Sequence, residues 1–303
     1  MGTAKVTGGQ YSLRRPRLLR LVSAITDRAA NTSCGVVLVS DFIPRAISKI
    51  TNGSAEPILG RREPRVPDGM RLYVVGDLHG CPDLLEQMGK LIEHDVAGRR
   101  PAQRTILIFL GDYLDRGPDS REVLDMLMAG PSSDIETVYL KGNHEAMLLK
   151  FLEDPTYGLT WRDYGGMETM ESYGVAQQTL AHDPMAYADA SRLLATSLPA
   201  DHLDFLRSLV PSISIGDYFF VHAGILPGTK LDEQREEEML WIRGPFLMSN
   251  KNYGKIIVHG HTPVEQPEIR RNRIGIDTGA CLTGVLTCLC LEGADRWFLQ
   301  TGP

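Results

Sequence analysis

From Arg71 onward the sequence alternates short apolar runs with helical stretches, and each run stops at a glycine followed by a polar residue. "RLYVVGD" precedes "PDLLEQMGKLIEHDV", "RTILIFLGD" precedes "DSREVLDMLMAG", and "IETVYLKGNHE" runs into "EAMLLKFLED". The first segments have strand length and the second have helical apolar spacing. Pro82 and Asp83 suit a first helical turn, and Gly130 suits a helix end. Strand, helix, strand, helix, strand at this spacing predicts a βαβαβ unit with a parallel sheet and right-handed crossovers.

The second half has a different rhythm. "SISIGDYFFVHAG" predicts two strands around a Gly216–Asp217 turn, and "KIIVHGHT", "NRIGIDTGA", "GVLTCLCLEG" and "DRWFLQ" continue as strands in hairpin-like succession. The expectation is a mostly antiparallel sheet packed on the first. The fold class is therefore α/β, a βαβαβ core with two packed mixed β-sheets flanked by helices. Residues 155–200 are less regular and read as a cap-like insertion within a domain spanning 69–303. Residues 1–68 read as a basic N-terminal extension and linker, rich in Gly, Pro and charge toward its end: a poorly ordered stretch or sequence upstream of a start at Met70, with an arm that docks on a partner or a membrane surface as the alternative.

Charge separates the same two regions. Residues 1–68 hold 11 Lys and Arg against 5 Asp and Glu, and the remainder holds 21 against 33. An acidic main domain argues against a nucleic-acid partner. Five cysteines, with no CxxC pair, and alternating Cys288 and Cys290 read as buried thiols of a reducing compartment. No run has the ~18 apolar residues of a membrane helix, so a soluble, cytoplasmic protein without a transmembrane segment is expected. His94, His182 and His202 read as exposed groups, and "EQREEE" as a solvated helix face.

The informative residues are those at the strand ends. They read Gly76-Asp77-Leu78-His79-Gly80, "GDYLDRG" from Gly111 to Gly117, Gly142-Asn143-His144-Glu145, His222-Ala223-Gly224 and Gly260-His261-Thr262. One Asp at a strand end is ordinarily a turn former, and one His is ordinarily a hydrogen-bonded structural group. Five in succession exceed what turn chemistry explains, and ligands bind at the carboxyl ends of strands in open α/β sheets. A mixed oxygen and imidazole set suits Mn, Fe or Zn better than Ca or Mg.

"GDLHG", "GDYLDRG", "GNHE", "HAG" and "GHTP…IDTGA" resemble the signature set of the calcineurin-like metallophosphoesterases. More narrowly, they resemble PPP-type serine/threonine protein phosphatases of the bacterial and bacteriophage kind. The motifs run in the family's order from Gly76 to Ala280. The resemblance implies a two-metal site: Asp77 and His79 on the first ion, Asp112 bridging, and Asn143, His222 and His261 completing the second. Arg116 and Arg243 would grip phosphate oxygens, His144 would be the general acid, and Asp115 would orient it. His261 is chosen over His259 because it holds the "GHT" position.

The implied cofactors are two divalent ions, Mn2+ first, with Fe or Zn as alternatives. Such ions lower the pKa of a bound water and clamp an in-line displacement at phosphorus. Proton donation by His144 to the leaving oxygen is typically worth about 10²–10⁴ in rate. No phosphoenzyme is needed, since neither a phosphate-loop cysteine nor a "DxDx" aspartate is evident. Pro263 stands where many phosphodiesterases carry a further histidine, which favours monoesters.

The expected function is thus a metal-dependent protein serine/threonine phosphatase acting on a phosphoprotein or phosphopeptide. One alternative is a symmetrical dinucleoside polyphosphate (diadenosine tetraphosphate) hydrolase, whose motifs are shared; another is an inactive phosphate-binding scaffold. Oligomeric state, physiological substrate and native metal pair are not legible in the sequence.

Overall fold

The computed structural model describes residues 63–131, 135–175 and 184–302; His182 and the extension over residues 1–62 lie outside them. The alternation read from the sequence becomes β1 (Met70–Val75), α1 (Pro82–Gly98), β2 (Arg104–Phe109), α2 (Ser120–Ala129), β3 (Glu136–Tyr139) and α3 (Asn143–Glu153). β1 pairs with β2, and β2 with β3, in parallel, as helical crossovers require. Beyond their first residues the inner strands β1 and β2 run as unbroken apolar stretches, because both faces of their sheet are covered. Tyr73, Val75, Leu107 and Phe109 share a core with Leu85, Met88, Val123 and Leu124 of the helices. Leu72, Val74, Ile106 and Ile108 face a second sheet.

A 3-10 turn at Pro155–Tyr157 leads into α4 (Gly158–Asp163), α5 (Gly166–Ser172), α6 (Pro184–Ser197) and α7 (Ala200–Ser208). These helices have an apolar inner face. Trp161, Met170, Tyr187 and Leu194 join the core that also holds Met147, Leu148 and Phe151 of α3. His94 is exposed as expected, but His202 is not a surface group: it is 2% exposed. Its ring sits between the Tyr173 hydroxyl at 2.7 Å and the Asp125 carboxylate at 3.0 Å. Charged neighbours in "DHLDFL" conceal that this one position of α7 faces α2 and α5.

The second sheet follows. β4 (Ser212–Ile215) and β5 (Tyr218–Val221) form the predicted hairpin, and a 3-10 turn at Leu231–Glu233, α8 (Glu236–Trp241) and α9 (Gly244–Leu247) come next. The chain ends with β6 (Ile256–His259), β7 (Glu268–Ile269), β8 (Arg273–Gly275), α10 (Ala280–Thr283), β9 (Thr287–Glu292) and β10 (Asp295–Gln300). The expectation of a mostly antiparallel sheet is corrected here. β5–β6 and β6–β8 are parallel, and only the outer pairs β4–β5 and β7–β8 are antiparallel. The reason is the connection through α8 and α9, which returns the chain in the same direction. β9 and β10 leave that sheet altogether and extend the first one beside β1, giving the order β10-β9-β1-β2-β3 against β4-β5-β6-β8-β7.

The two mixed sheets pack face to face through Leu72, Val74, Leu289 and Leu291 on one side and Phe220, Ile256, Val258 and Ile274 on the other. α8 and α9 cover the outer face of the second sheet through Met239 and Phe246. Cys288 and Cys290 are buried free thiols. Ahead of β1, Val66 is fully buried and donates to the Gly293 carbonyl at 2.9 Å. Among the described residues no helix is long and apolar enough to cross a membrane.

Candidate metal centre

Parallel strands bring their carboxyl ends to one edge, whereas antiparallel neighbours would alternate. That is why the direction of β5 and β6 matters. With β1, β2, β3, β5 and β6 supplying their ends, Asp77, His79, Asp112, Asn143, His222 and His261 gather at one place, as do Asp115, Arg116 and His144. Arg243 arrives from the turn between α8 and α9. Every side chain read from the sequence as a site residue is brought to this place.

The backbone there is unusual. Among the described residues five that are not glycine have positive φ: His79 (46°), Asp112 (52°), Asp115 (70°), Arg116 (67°) and His261 (64°). All five are candidate site residues. Each such conformation costs about 1–3 kcal/mol and persists only where its surroundings enforce it. Glu145 does much of that enforcing. Its buried carboxylate accepts the N–H groups of Asp112 at 3.0 Å, Tyr113 at 2.8 Å and Gly142 at 2.8 Å. Two glycines permit the final approach. A Cβ on Gly142 would lie 2.1 Å from Asp112 Oδ1, and one on Gly260 would lie 2.0 Å from Asp77 Oδ1.

Asp112 is the hub. His79 Nε2 and His144 Nε2 stand 3.6 and 3.7 Å from its Oδ2, and His222 Nε2 stands 3.3 Å from its Oδ1. Two groups of potential ligand atoms lie within 4.8 Å of one another, one of His79, Asp112 and His144 and one of Asp112, His222 and His261. They share Asp112. Asn143 Oδ1 is 2.9 Å from His222 Nε2, which is 3.1 Å from His261 Nδ1. Asp77 joins by accepting the His261 N–H at 2.9 Å on Oδ2. Its Oδ1 is buried without any hydrogen-bond partner, and a buried carboxylate oxygen left bare is costly unless a cation faces it.

The imidazoles are turned to serve as donors of lone pairs. His79 Nδ1 faces the Leu114 carbonyl at 2.9 Å and His222 Nδ1 the Leu110 carbonyl at 3.0 Å. A carbonyl only accepts, so each Nδ1 carries the hydrogen and each Nε2 is left toward Asp112. Burial pushes His79 down to about 3 and, with His222 beside it, His261 down to about 2. His222 goes the other way. Burial opposes its charge, but Asp112 and Asp77 raise it to about 9. Against its own burial, Asp112 is held well below the carboxylate range by His222 and His144, and Asp77 is pushed well above that range by burial and Asp277. The donor set, the bare Asp77 oxygen and the shared Asp112 fit a pair of divalent ions.

Around this hub sit two arginines. Nη1 and Nη2 of Arg116 lie 3.1 and 3.2 Å from Nε2 of His79 and of His144, and Arg243 Nε donates to His261 Nε2 at 3.0 Å. The two guanidinium groups thus contact different imidazoles of the cluster. His144 Nδ1 is 2.7 Å from Asp115 Oδ2. Burial works against the charged ring of His144, but Asp112 and Asp115 outweigh it and its pKa is raised.

Sequence reasoning missed the residues that hold Asp115. Trp161 Nε1 donates to its Oδ2 at 2.8 Å, and Thr169 Oγ1 donates to its Oδ1 at 2.6 Å. No local signal points to either, because they lie 46 and 54 positions away along the chain. Glu145 was legible in retrospect, as the third residue of a helix whose cap it satisfies. His259 does not join the cluster; its buried ring packs edge-on against Phe246 at 5.1 Å.

A sheet-edge cluster of this kind defines a metal-dependent hydrolase of phosphate compounds. Residues 70–283 match the family model for calcineurin-like phosphoesterases, and the chain belongs to that family, whose members use divalent metals. It is 26% identical over 235 residues to the asymmetrical bis(5'-nucleosyl)-tetraphosphatase PrpE of Oceanobacillus iheyensis, covering 72% of this chain and 87% of the relative. To the enzyme of the same name from Halalkalibacterium halodurans it is 29% identical over 236 residues, covering 73% and 89%. A crystal structure of a candidate diadenosine tetraphosphatase superposes with a TM-score of 0.52 at 20% identity, covering 80% of this chain and 99% of that one; that likeness concerns the fold.

Proposed function

We propose that this chain hydrolyses dinucleoside polyphosphates asymmetrically, releasing a nucleoside monophosphate from one end. The observation that carries the chemistry is the single cluster built on Asp112 and flanked by two arginines. The substrate class is supported by relatives whose names specify it and which the chain matches over most of their length. This moves the reading away from the phosphoprotein expected from the sequence, and from the symmetrical cut of the alternative.

Asp77, His79, Asp112, Asn143, His222 and His261 would hold two divalent cations, Mn2+ by expectation and Fe or Zn otherwise, which supply charge neutralisation and a nucleophilic water at neutral pH. Arg116 and Arg243 bind phosphate oxygens from two sides with planar forks. Asp115 accepts a hydrogen bond from the Nδ1–H of His144, which leaves Nε2 to give a proton to the departing oxygen. Trp161 and Thr169 hold Asp115 for that task. One bond forms from the water oxygen to phosphorus and one bridging P–O bond breaks. The proton from His144 goes to the leaving nucleotide, and the water's protons return to His144 and to solvent.

The test is a product analysis. Diadenosine tetraphosphate with Mn2+ should yield AMP and ATP in equal amounts. Two ADP would restore the symmetrical alternative, faster turnover of a phosphoserine peptide would restore the protein phosphatase, and silence with both ions bound would identify a scaffold.

A further inference from the structure

Two aromatic rings at the centre have no part in the chemistry above. Tyr164 and Trp241 form an edge-to-face pair with centroids 5.7 Å apart. Tyr164 lies 6.1 Å from the His144 ring and Trp241 6.3 Å from the His261 ring. A continuous path of rings therefore runs from His144 to His261. Each ring also neighbours a phosphate arginine. The Gly165 carbonyl, next to Tyr164, accepts the Arg116 N–H at 3.1 Å, and Trp241 precedes Arg243 by two residues. Packing alone does not account for the pair: Tyr164 is 37% exposed, and Trp241 is half-buried.

We propose that Tyr164 and Trp241 form the platform on which the base of the substrate's nucleoside stacks, and that they make this site prefer phosphates that carry a nucleoside. The inference rests on the dinucleotide reading above. Rings set at a right angle offer aromatic faces in two directions, and any base can stack on such a face regardless of its hydrogen-bonding edge. The platform begins one ring contact away from His144 and ends one from His261, so it borders the place where the reacting phosphate would lie. Only a base joined to the reacting phosphate through a short linker, such as one ribose, reaches it. A base separated by several further phosphates extends past it, so the platform favours cleavage beside a nucleoside monophosphate. A phosphoserine peptide presents no ring there.

The experiment compares diadenosine tetraphosphate with inorganic tripolyphosphate, which has the same anhydride bonds and no base. The metal-loaded wild type, Tyr164→Ala, Trp241→Ala, Tyr164→Phe and Trp241→Phe are assayed on both. The alanine variants should lose about tenfold or more in kcat/KM on the dinucleotide relative to tripolyphosphate, mostly through KM. The phenylalanine variants should recover most of that ratio. AMP binding, followed by calorimetry, should weaken in Trp241→Ala by the same factor while inorganic phosphate binding changes less, which covers a variant of reduced activity. A dinucleotide preference that survives both alanine variants, or equal losses on both substrates, overturns the platform alone. A wild type with no preference for the dinucleotide overturns the functional reading first and the platform with it.

Discussion

The two halves of the centre are built differently. The half from the first sheet carries Asp77, His79, Asp112 and Asp115 on tight loops, four of the five left-handed residues among them and its neighbour Arg116, and is braced by Glu145, Trp161 and Thr169. The half from the second sheet, His222 and His261, depends on fewer contacts, chiefly Leu110, Arg243 and Asp77. The first half is thus preset by buried hydrogen bonds, while the second shares its charge across a contact between sheets. Rigidity is concentrated where two ions would share a ligand and where His144 would aim a proton.

The most disruptive test of that asymmetry is Asp112→Asn. Because both groups of ligand atoms include Asp112, metal analysis should find neither ion retained, and turnover should fall to background. Retention of both ions would contradict the hub. His261→Ala should be milder, losing one ion and leaving the first-sheet half loaded.

Next in size is His144→Asn, which should keep both ions and slow cleavage of an alkyl phosphate by about 10²–10⁴. The loss on a polyphosphate should be smaller, because that leaving group departs readily as an anion. Equal losses on both would deny the ring its proton-donor role. Smaller again are Trp161→Phe and Thr169→Val. A hydrogen bond to a charged group is worth about 1.5–3 kcal/mol, so each should cost roughly tenfold to a hundredfold in kcat with little change in KM. An effect confined to KM would mean that the brace shapes binding instead.

Loading of the centre should release protons. His222, raised to about 9 without ions, must lose its proton to become a ligand. Below that pH the incoming ion has to displace it, so affinity should rise from pH 7 toward pH 9 and level off above. Ion titration with a pH indicator reads this directly, and affinity independent of pH over that range would remove His222 from the ligand set. The smallest effect should come from His202→Leu, which breaks the Tyr173 and Asp125 contacts. A fall of a few degrees in Tm with ion content unchanged is expected.

The first sheet was legible because each strand and helix declares itself within its own residues. The candidate ligands were legible because they sit beside glycines at strand ends. What stayed hidden depends on partners far along the chain. The direction of β6 follows from a crossover whose helices are only 6 and 4 residues long, too short to show a period. Trp161 and Thr169 read as members of an irregular cap, since nothing in "WRDYGGMETMESYG" refers to Asp115. His202 was misplaced for the same reason, its burial being decided by the packing of α7 on other helices. The platform of Tyr164 and Trp241 likewise joins two segments 77 residues apart that share no motif.

β9 pairs with β1 although their partners Arg71 and Glu292 are 221 residues apart along the chain. During synthesis, β1 emerges early and waits with one edge bare until residues 287–292 are made. The first sheet is therefore closed last, on the flank of the strand that delivers Asp77 and His79. The strand that bears the first candidate ligands is thus flanked on both sides only after the second sheet has been made.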